Sequence, residues 1–155
     1  MDSENQLREL PASRFVVQRH EARSPHFDFR LEIGGVYKSW VLPKGPPTHP
    51  SQRRLAILTE DHPLAFGDFE GTIPDGEYGA GKITIWDRGT YQLVGFGTAG
   101  EQFERGDLRF ELHGQRLVGH YGLLILKRGR WRREPPSRKE WLLVKSEADE
   151  FSSSL

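Results

Sequence analysis

Residues 26–33, HFDFRLEI, alternate without a break: Phe27, Phe29, Leu31 and Ile33 take one parity, and His26, Asp28, Arg30 and Glu32 the other. Successive side chains leave opposite faces of a β-strand, whereas a helix would scatter these two sets around its surface. The segment therefore belongs in a sheet with one face on a core. Gly34-Gly35 follows, then VYKSWVL (36–42), which predicts a two-residue hairpin turn.

The rest of the chain repeats this style. RFVVQRH (14–20), RRLAILTE (53–60), DLRFELHG (107–114), RLVGHYGLLILKR (116–128) and EWLLVKS (140–146) are short apolar or alternating runs. KITIWD (82–87) and TYQLVGF (90–96) flank Arg88-Gly89 and predict a second hairpin. Between them lie a proline-dense loop at 43–52 and a Gly/Pro-rich segment at 62–81, which reads as a long ordered loop system with one short strand. A short helix is expected over 98–106. The expected fold is all-β, a compact closed or nearly closed barrel of about eight strands with at most one or two short helices. Residues 1–13 read as a flexible leader, 14–146 as the folded body and 147–155 as an acidic, serine-rich tail.

At 155 residues the chain has room for one ordinary domain. It has no cysteine, so any metal must be held by nitrogen and oxygen. No run reaches the roughly 20 apolar residues of a membrane helix, and MDSENQLREL is no signal peptide. A cytoplasmic protein that makes no membrane contact is expected. Net charge is zero but uneven: residues 14–54 hold eight Lys/Arg against three acids, 112–145 nine against two, and 55–111 four against eleven. If the two basic segments meet, they form a surface suited to phosphates; the alternative is a pair of solvated faces.

The polar parity of residues 26–33 puts His26, Asp28 and Arg30 on one face, looking into solvent, a cavity or, in a closed barrel, the lumen. His20 ends the preceding strand with only five residues, EARSP, before His26, so a tight connection brings its imidazole beside them. Two imidazoles and a carboxylate are a standard set for Mn, Fe or Zn, with open positions for substrate or water. Arg30 offers a fork for an anionic oxygen. The plainer alternative is exposed strand polars joined by one salt bridge. ILTEDHPLAF (57–66) adds Glu60, Asp61 and His62 after a strand that starts with Arg53-Arg54, and Arg54, Glu60 and His62 share parity. His62 at a barrel mouth is placed to stabilise a phosphoryl oxygen. GTIPDGEYGAG (71–81) lacks the spacing of a phosphate-binding loop and reads as turn chemistry. His113 and His120 read as structural histidines, and His49 as exposed.

FVVQRHEA, HFDFRLE, GVYKSWVLPKGP, RLAILTEDHPLAFGDFEGTIPDGEYGAG, ITIWDRGTY and EWLLVK, in this order, closely resemble the 3′-phosphoesterase domain of bacterial DNA ligase D and its stand-alone relatives. The resemblance covers roughly residues 14–146. It implies a β-barrel that binds Mn²⁺, with Zn²⁺ or Co²⁺ as alternatives, and trims DNA 3′ ends in repair of double-strand breaks by end joining. A terminal ribonucleoside is removed by a phosphodiesterase step that needs a 2′-hydroxyl, and a phosphomonoesterase step then clears the 3′-phosphate. The metal ligands implied are His20, His26 and Asp28. Arg30, Arg54 and His62 are implied as phosphate-contacting and transition-state residues, with Glu60 in support and Lys44 among the substrate-binding residues. Implied partners are DNA 3′ ends on a primer-template or duplex, an ATP-dependent DNA ligase, a primase-polymerase and Ku. The protein implied is a prokaryotic, nucleoid-associated monomer.

One position departs from the family pattern. Where the family commonly carries a phosphate-contacting tyrosine after the EDHP motif, this chain has Phe66. The ring remains and the hydroxyl donor is lost, so a weakened or missing 3′-phosphatase step is expected. Two rival readings stand beside this one. A non-haem Fe(II) oxygenase would use His26 and Asp28 with a distal His113 or His120, leaving His20 idle. A binding module would hold DNA ends without turnover.

Overall fold

The structure is a computed structural model and describes residues 13–127 and 138–147. The expected leader and most of the expected tail lie outside the described residues, as does much of the second basic segment. Nine strands are described: β1 (Ser13–Glu21), β2 (His26–Ile33), β3 (Val36–Leu42), β4 (Arg53–Leu58), β5 (Gly71–Ile73), β6 (Gly81–Leu93), β7 (Asp107–His113), β8 (Val118–Ile125) and β9 (Glu140–Lys145). One α-helix, α1 (Ala99–Arg105), and a 3-10 turn at Leu64–Asp68 complete the elements.

All pairings are antiparallel, in the order β1-β2-β3-β4-β9-β8-β7-β6, and β6 returns to β1. Eight strands thus close into a barrel, which leaves no free edge in the ring. β5 pairs with the first residues of β6, beyond the stretch that β7 covers. Among the described residues, strand pairing joins the two basic segments of the sequence along the β4–β9 seam. Among the described residues, no helix is long and apolar enough to cross a membrane.

The β2–β3 hairpin turns on Gly34 and Gly35, whose φ values of 65° and 85° suit the primed turns that match strand twist. The second expected hairpin is a correction: β6 runs unbroken from Gly81 to Leu93, straight through Arg88-Gly89. Gly89 is there for close approach, since a Cβ would stand 2.1 Å from the carbonyl oxygen of His113. Asp87 beside it accepts the backbone N–H groups of Gln115, Arg116 and Leu117 at 2.9, 3.1 and 2.8 Å and so ties the β7–β8 turn to β6. The chain slips one residue against β1 at Val17/Gln18, a bulge that bends the long strand around the barrel.

The lumen is filled with apolar side chains. Phe15, Val17, Phe29, Leu31, Trp40, Leu112 and Leu143 are all at most 1 % exposed within one cluster. Helix α1 lends Phe103 to that cluster, stacked on Trp141 at 5.6 Å and edge-on to Trp40 at 6.0 Å. Thr98 and Glu101 form a reciprocal capping box that starts the helix, and Gly106 ends it with φ 78°. The core therefore takes the inward parity of the eight barrel strands. The outward parity of β1, β2 and β3 is left for polar groups.

Candidate metal and phosphate site

A polar lumen was one expected home for His26, Asp28 and Arg30. The structure corrects this: these side chains are on the outer wall of the barrel, because the inner one is occupied by Phe27, Phe29 and Leu31. Register makes the outer cluster. His20 pairs with His26, Gln18 with Asp28, and Val16 with Arg30, while Ser39 and Val41 flank Arg30 and Asp28 from β3. Directly paired residues share a face, so the outward parity of three strands converges on one patch.

The segment after β4 roofs this patch. His62 forms an isolated bridge with Tyr37, exchanging backbone hydrogen bonds of 2.8 and 3.0 Å. The 3-10 turn then packs on β1 and β3, with Gly67 so close to the Tyr37 ring that a Cβ would meet it at 2.5 Å. Between roof and wall lies a cleft of about 500 Å³, lined among others by His20, His26, Asp28, Arg30, His62, Phe66 and Tyr78.

Hydrogen bonds fix which atoms of the histidines face one another. His20 Nε2 donates to the carbonyls of Gly79 and Ala80, both at 3.0 Å, and His26 Nδ1 donates to the carbonyl of Ser24 at 2.9 Å. Carbonyls only accept, so each ring keeps its proton there and carries its lone pair on the other nitrogen. Those nitrogens, His20 Nδ1 and His26 Nε2, lie 3.8 and 3.5 Å from the two oxygens of Asp28. The three ligand atoms are all within 4.8 Å of one another. Asp28 is 8 % exposed; its carboxylate accepts from the second proton that His26 carries when charged, which raises that imidazole above its ordinary pKa, and a bound ion would take that proton's place. Two lone pairs and a carboxylate, each imidazole fastened behind by a carbonyl, is the arrangement of a divalent-metal site. The donor set therefore fits such an ion.

Arg30 lies next to the trio and is 3 % exposed. Its Nε donates to Gln18 Oε1 at 2.7 Å and its Nη1 to Ser39 Oγ at 2.7 Å. Burial lowers its pKa, yet a guanidinium keeps its charge in a protein. Nη2 stands 3.8 Å from Asp28, beyond hydrogen-bond length, and so has donors to spare toward the cleft. His62 Nδ1 lies 3.1 Å from Arg30 Nη1 and 3.0 Å from the Glu60 carbonyl. Nδ1 thus faces both a donor, the guanidinium, and an acceptor, the Glu60 carbonyl; accepting from Arg30 leaves the imidazole proton on Nε2, and donating to Glu60 keeps it on Nδ1. Burial, followed by the charge of Arg30, holds His62 below its ordinary pKa, so it is neutral near pH 7.

Phe66 is part of this cluster. Its ring lies 5.0 Å from that of His62, stacks on Phe69 at 5.3 Å and sits beneath the Arg30 guanidinium at 4.9 Å. The ring steadies Arg30 by a cation–π contact and offers no donor. Gln18, fully buried, completes the support: its Nε2 donates to the carbonyls of Phe66 and Phe69 at 2.9 and 3.1 Å while its Oε1 holds Arg30. One amide thus joins barrel, roof and guanidinium. Gln18 and Ser39 escaped the sequence reading, although Gln18 shares the parity of His20 and so carried a legible signal.

Three expected members stand apart. Arg54 pairs with Leu143 and shares the inward parity of Ala56, so it does not line the cleft; the strand ends before His62, and parity does not carry across. Lys44 is exposed and also off the lining. Glu60 is exposed, with its carboxylate toward Tyr78. His113 and His120 both pair with Glu111, at 3.0 and 3.2 Å, on the outer face of β7 and β8. Neither lines the cleft, so the ligand set of the oxygenase reading is not assembled.

The model of the family described as "DNA Ligase D 3'-phosphoesterase domain" matches residues 18–125. The chain belongs to this family. The DNA ligase D 3′-phosphoesterase match runs from Gln18 through β8, so it spans the whole cleft wall and its roof. The chain is similar to the multifunctional non-homologous end joining DNA repair protein LigD of Mycobacterium tuberculosis, 50% identical over 117 residues, 76% of this chain and 15% of that protein. It is also similar to the multifunctional non-homologous end joining protein LigD of Pseudomonas aeruginosa, 43% identical over 141 residues, 90% of this chain and 16% of that protein. The LigD of Mycolicibacterium smegmatis is 42% identical over 122 residues. The chain therefore spans about one-sixth of the length of these relatives.

Proposed function

We propose that this chain is a divalent-metal-dependent phosphoesterase that processes DNA 3′ ends in double-strand break repair by end joining. The observation that carries the reading is the convergence of His20 Nδ1, His26 Nε2 and the Asp28 carboxylate beside the donors of Arg30 and His62. His20, His26 and Asp28 would hold the ion, Mn²⁺ in the first instance, with Zn²⁺ or Co²⁺ as alternatives. When bound, the ion supplies Lewis-acid polarisation of a phosphoryl oxygen. Arg30 gathers a second phosphoryl oxygen through Nη2, and its buried charge opposes the negative charge that grows as the ester breaks. His62, in the tautomer that accepts from Arg30 at Nδ1, gives its Nε2–H to a third oxygen and stays neutral as it does so. Gln18 and Ser39 keep Arg30 from turning away, so these donors need no rearrangement during reaction.

The substrates in this reading are primer-template or duplex 3′ ends that finish in a ribonucleotide or a phosphate. A ligase would seal the resulting 3′-OH, with a primase-polymerase and Ku as further partners, in a prokaryotic cytoplasm at the nucleoid. Phe66 leaves one donor fewer around the anion, which weighs most on the more highly charged 3′-phosphate. Arg54 and Lys44, off the cleft, would act on the flanking DNA.

A gel assay with Mn²⁺ on a 5′-labelled primer-template ending in one ribonucleotide, beside the same duplex ending in a 3′-phosphate, tests this. Conversion of the first with slow or no conversion of the second is expected. Fast phosphate release from the second would overturn the role given to Phe66. Phe66 also favours a second reading, a module that binds DNA ends without turnover; salt-sensitive binding and no product on either substrate would support that one instead.

A further inference from the structure

The cleft is larger than its polar floor requires. Its volume of about 500 Å³ falls among sites that enclose a molecule of nucleoside size, well beyond one phosphoryl group and a cation. Above the floor the walls are apolar, built by Ala22, Val41, Ile73 and Ile83. At the rim stands Tyr78, 85 % exposed. Exposure of a single aromatic means little in itself, and Phe96 is equally exposed without lining any cleft. Tyr78 differs by what holds it. The next two residues, Gly79 and Ala80, accept the Nε2–H of His20, so the ring is tied to the floor through the backbone that follows it. The exposed Glu60 carboxylate, followed by burial, raises the phenol's pKa, with Asp28 adding in the same direction. The backbone beside the ring is thus anchored to the floor, and the face of the ring is uncovered.

We infer that Tyr78 is the stacking platform for the terminal nucleoside, the one that leaves when the phosphodiester at a DNA 3′ end is cut. This inference rests on the phosphoesterase reading. On the 5′ side of the reacting phosphate the strand stays base-paired and stacked in the duplex. The terminal nucleoside has no neighbour beyond it, so it is the one free to leave the stack and in need of a π-face. Every base has such a face, so an aromatic platform accepts any terminal base. The platform makes Tyr78 a positioning residue that acts through the nucleoside; it touches no phosphoryl oxygen. It also favours diester substrates over a bare 3′-phosphate, which brings nothing to stack.

The test uses a primer-template with one unpaired 3′-terminal 2-aminopurine, titrated with the full chain in EDTA so that no cleavage competes. Stacking quenches the base. Wild type, Tyr78→Phe and Tyr78→Trp should quench it alike, because the face matters and the hydroxyl does not. Tyr78→Ala should abolish the quench and weaken binding about 10- to 100-fold, the range expected for loss of one base–aromatic stack. In parallel, the KM of Tyr78→Ala for the ribonucleotide-ended primer should rise by a similar factor with kcat changed far less. Full quenching by Tyr78→Ala, or loss of it in Tyr78→Phe, would overturn the inference. If wild type cleaves while Tyr78→Ala still quenches, the inference fails and the phosphoesterase reading stands. If wild type quenches through Tyr78 but never cleaves, the platform stands and the reading fails.

Discussion

The two faces of β2 divide the labour of this molecule. Inward, Phe27, Phe29, Leu31 and Ile33 join the apolar lumen; outward, His26, Asp28 and Arg30 join the cleft. The inner face is stabilised by contacts that any similar volume can make. The outer face is specified atom by atom, with Gln18 and Ser39 fixing one guanidinium and three carbonyls fixing two imidazoles. Changes on the inner face should therefore cost fold, and changes on the outer face should cost chemistry.

The sharpest way to break that contrast is Phe29→Ala. It removes a fully buried ring stacked near Phe15 and Phe110, both at 6.2 Å, and should destabilise by about 3–5 kcal/mol in a urea melt. A loss under about 1 kcal/mol would mean the lumen is not the main support. On the other face, Phe66→Tyr should restore a donor and raise 3′-phosphate release about 100-fold, with the melt unchanged. Gln18→Leu keeps the bulk but frees both Arg30 and the roof. It should lower cleavage about 10- to 100-fold, as loss of a supporting hydrogen-bond partner does at metal sites, measured as single-turnover rates.

How much of this was legible in the sequence depends on the interaction. β2 and β3 were bounded correctly because strict alternation and the Gly-Gly turn are local signals. Closeness of His20, His26 and Asp28 followed from parity and a short connection. Parity could separate the two faces but could not say which becomes concave, since closure of the barrel is a property of all eight strands. That is why a polar lumen was considered and an outer cleft found. Arg88-Gly89 looked like a turn because the carbonyl that Gly89 accommodates, that of His113, is 24 residues away in sequence (113 − 89). The shared parity of Arg54 with Glu60 and His62 does not hold for a related reason: β4 ends at Leu58, and the segment beyond it is no longer strand. Tyr78 lies in a loop, where no period signals its role.

Two smaller effects sharpen the comparison. Thr98→Ala removes the helix cap far from the cleft and should cost about 1 kcal/mol in the melt without altering cleavage. The pH dependence of stability should carry the mark of His62. Its folded pKa lies below the unfolded value, so its contribution is complete above about pH 6.5 and is lost as pH falls through the folded value. His62→Gln should flatten that acid limb of the melting temperature; an unchanged limb would assign it to other groups.

The most direct test of the central claim is calorimetric titration of Mn²⁺ into wild type and Asp28→Asn, with a thermal melt of each. Asp28→Asn keeps the shape of the side chain and removes its charge, and it sits on the face that does not support the core. The account predicts that wild type takes up one ion, while Asp28→Asn melts at nearly the same temperature and shows no measurable uptake. Equal Mn²⁺ binding by both proteins would contradict the account.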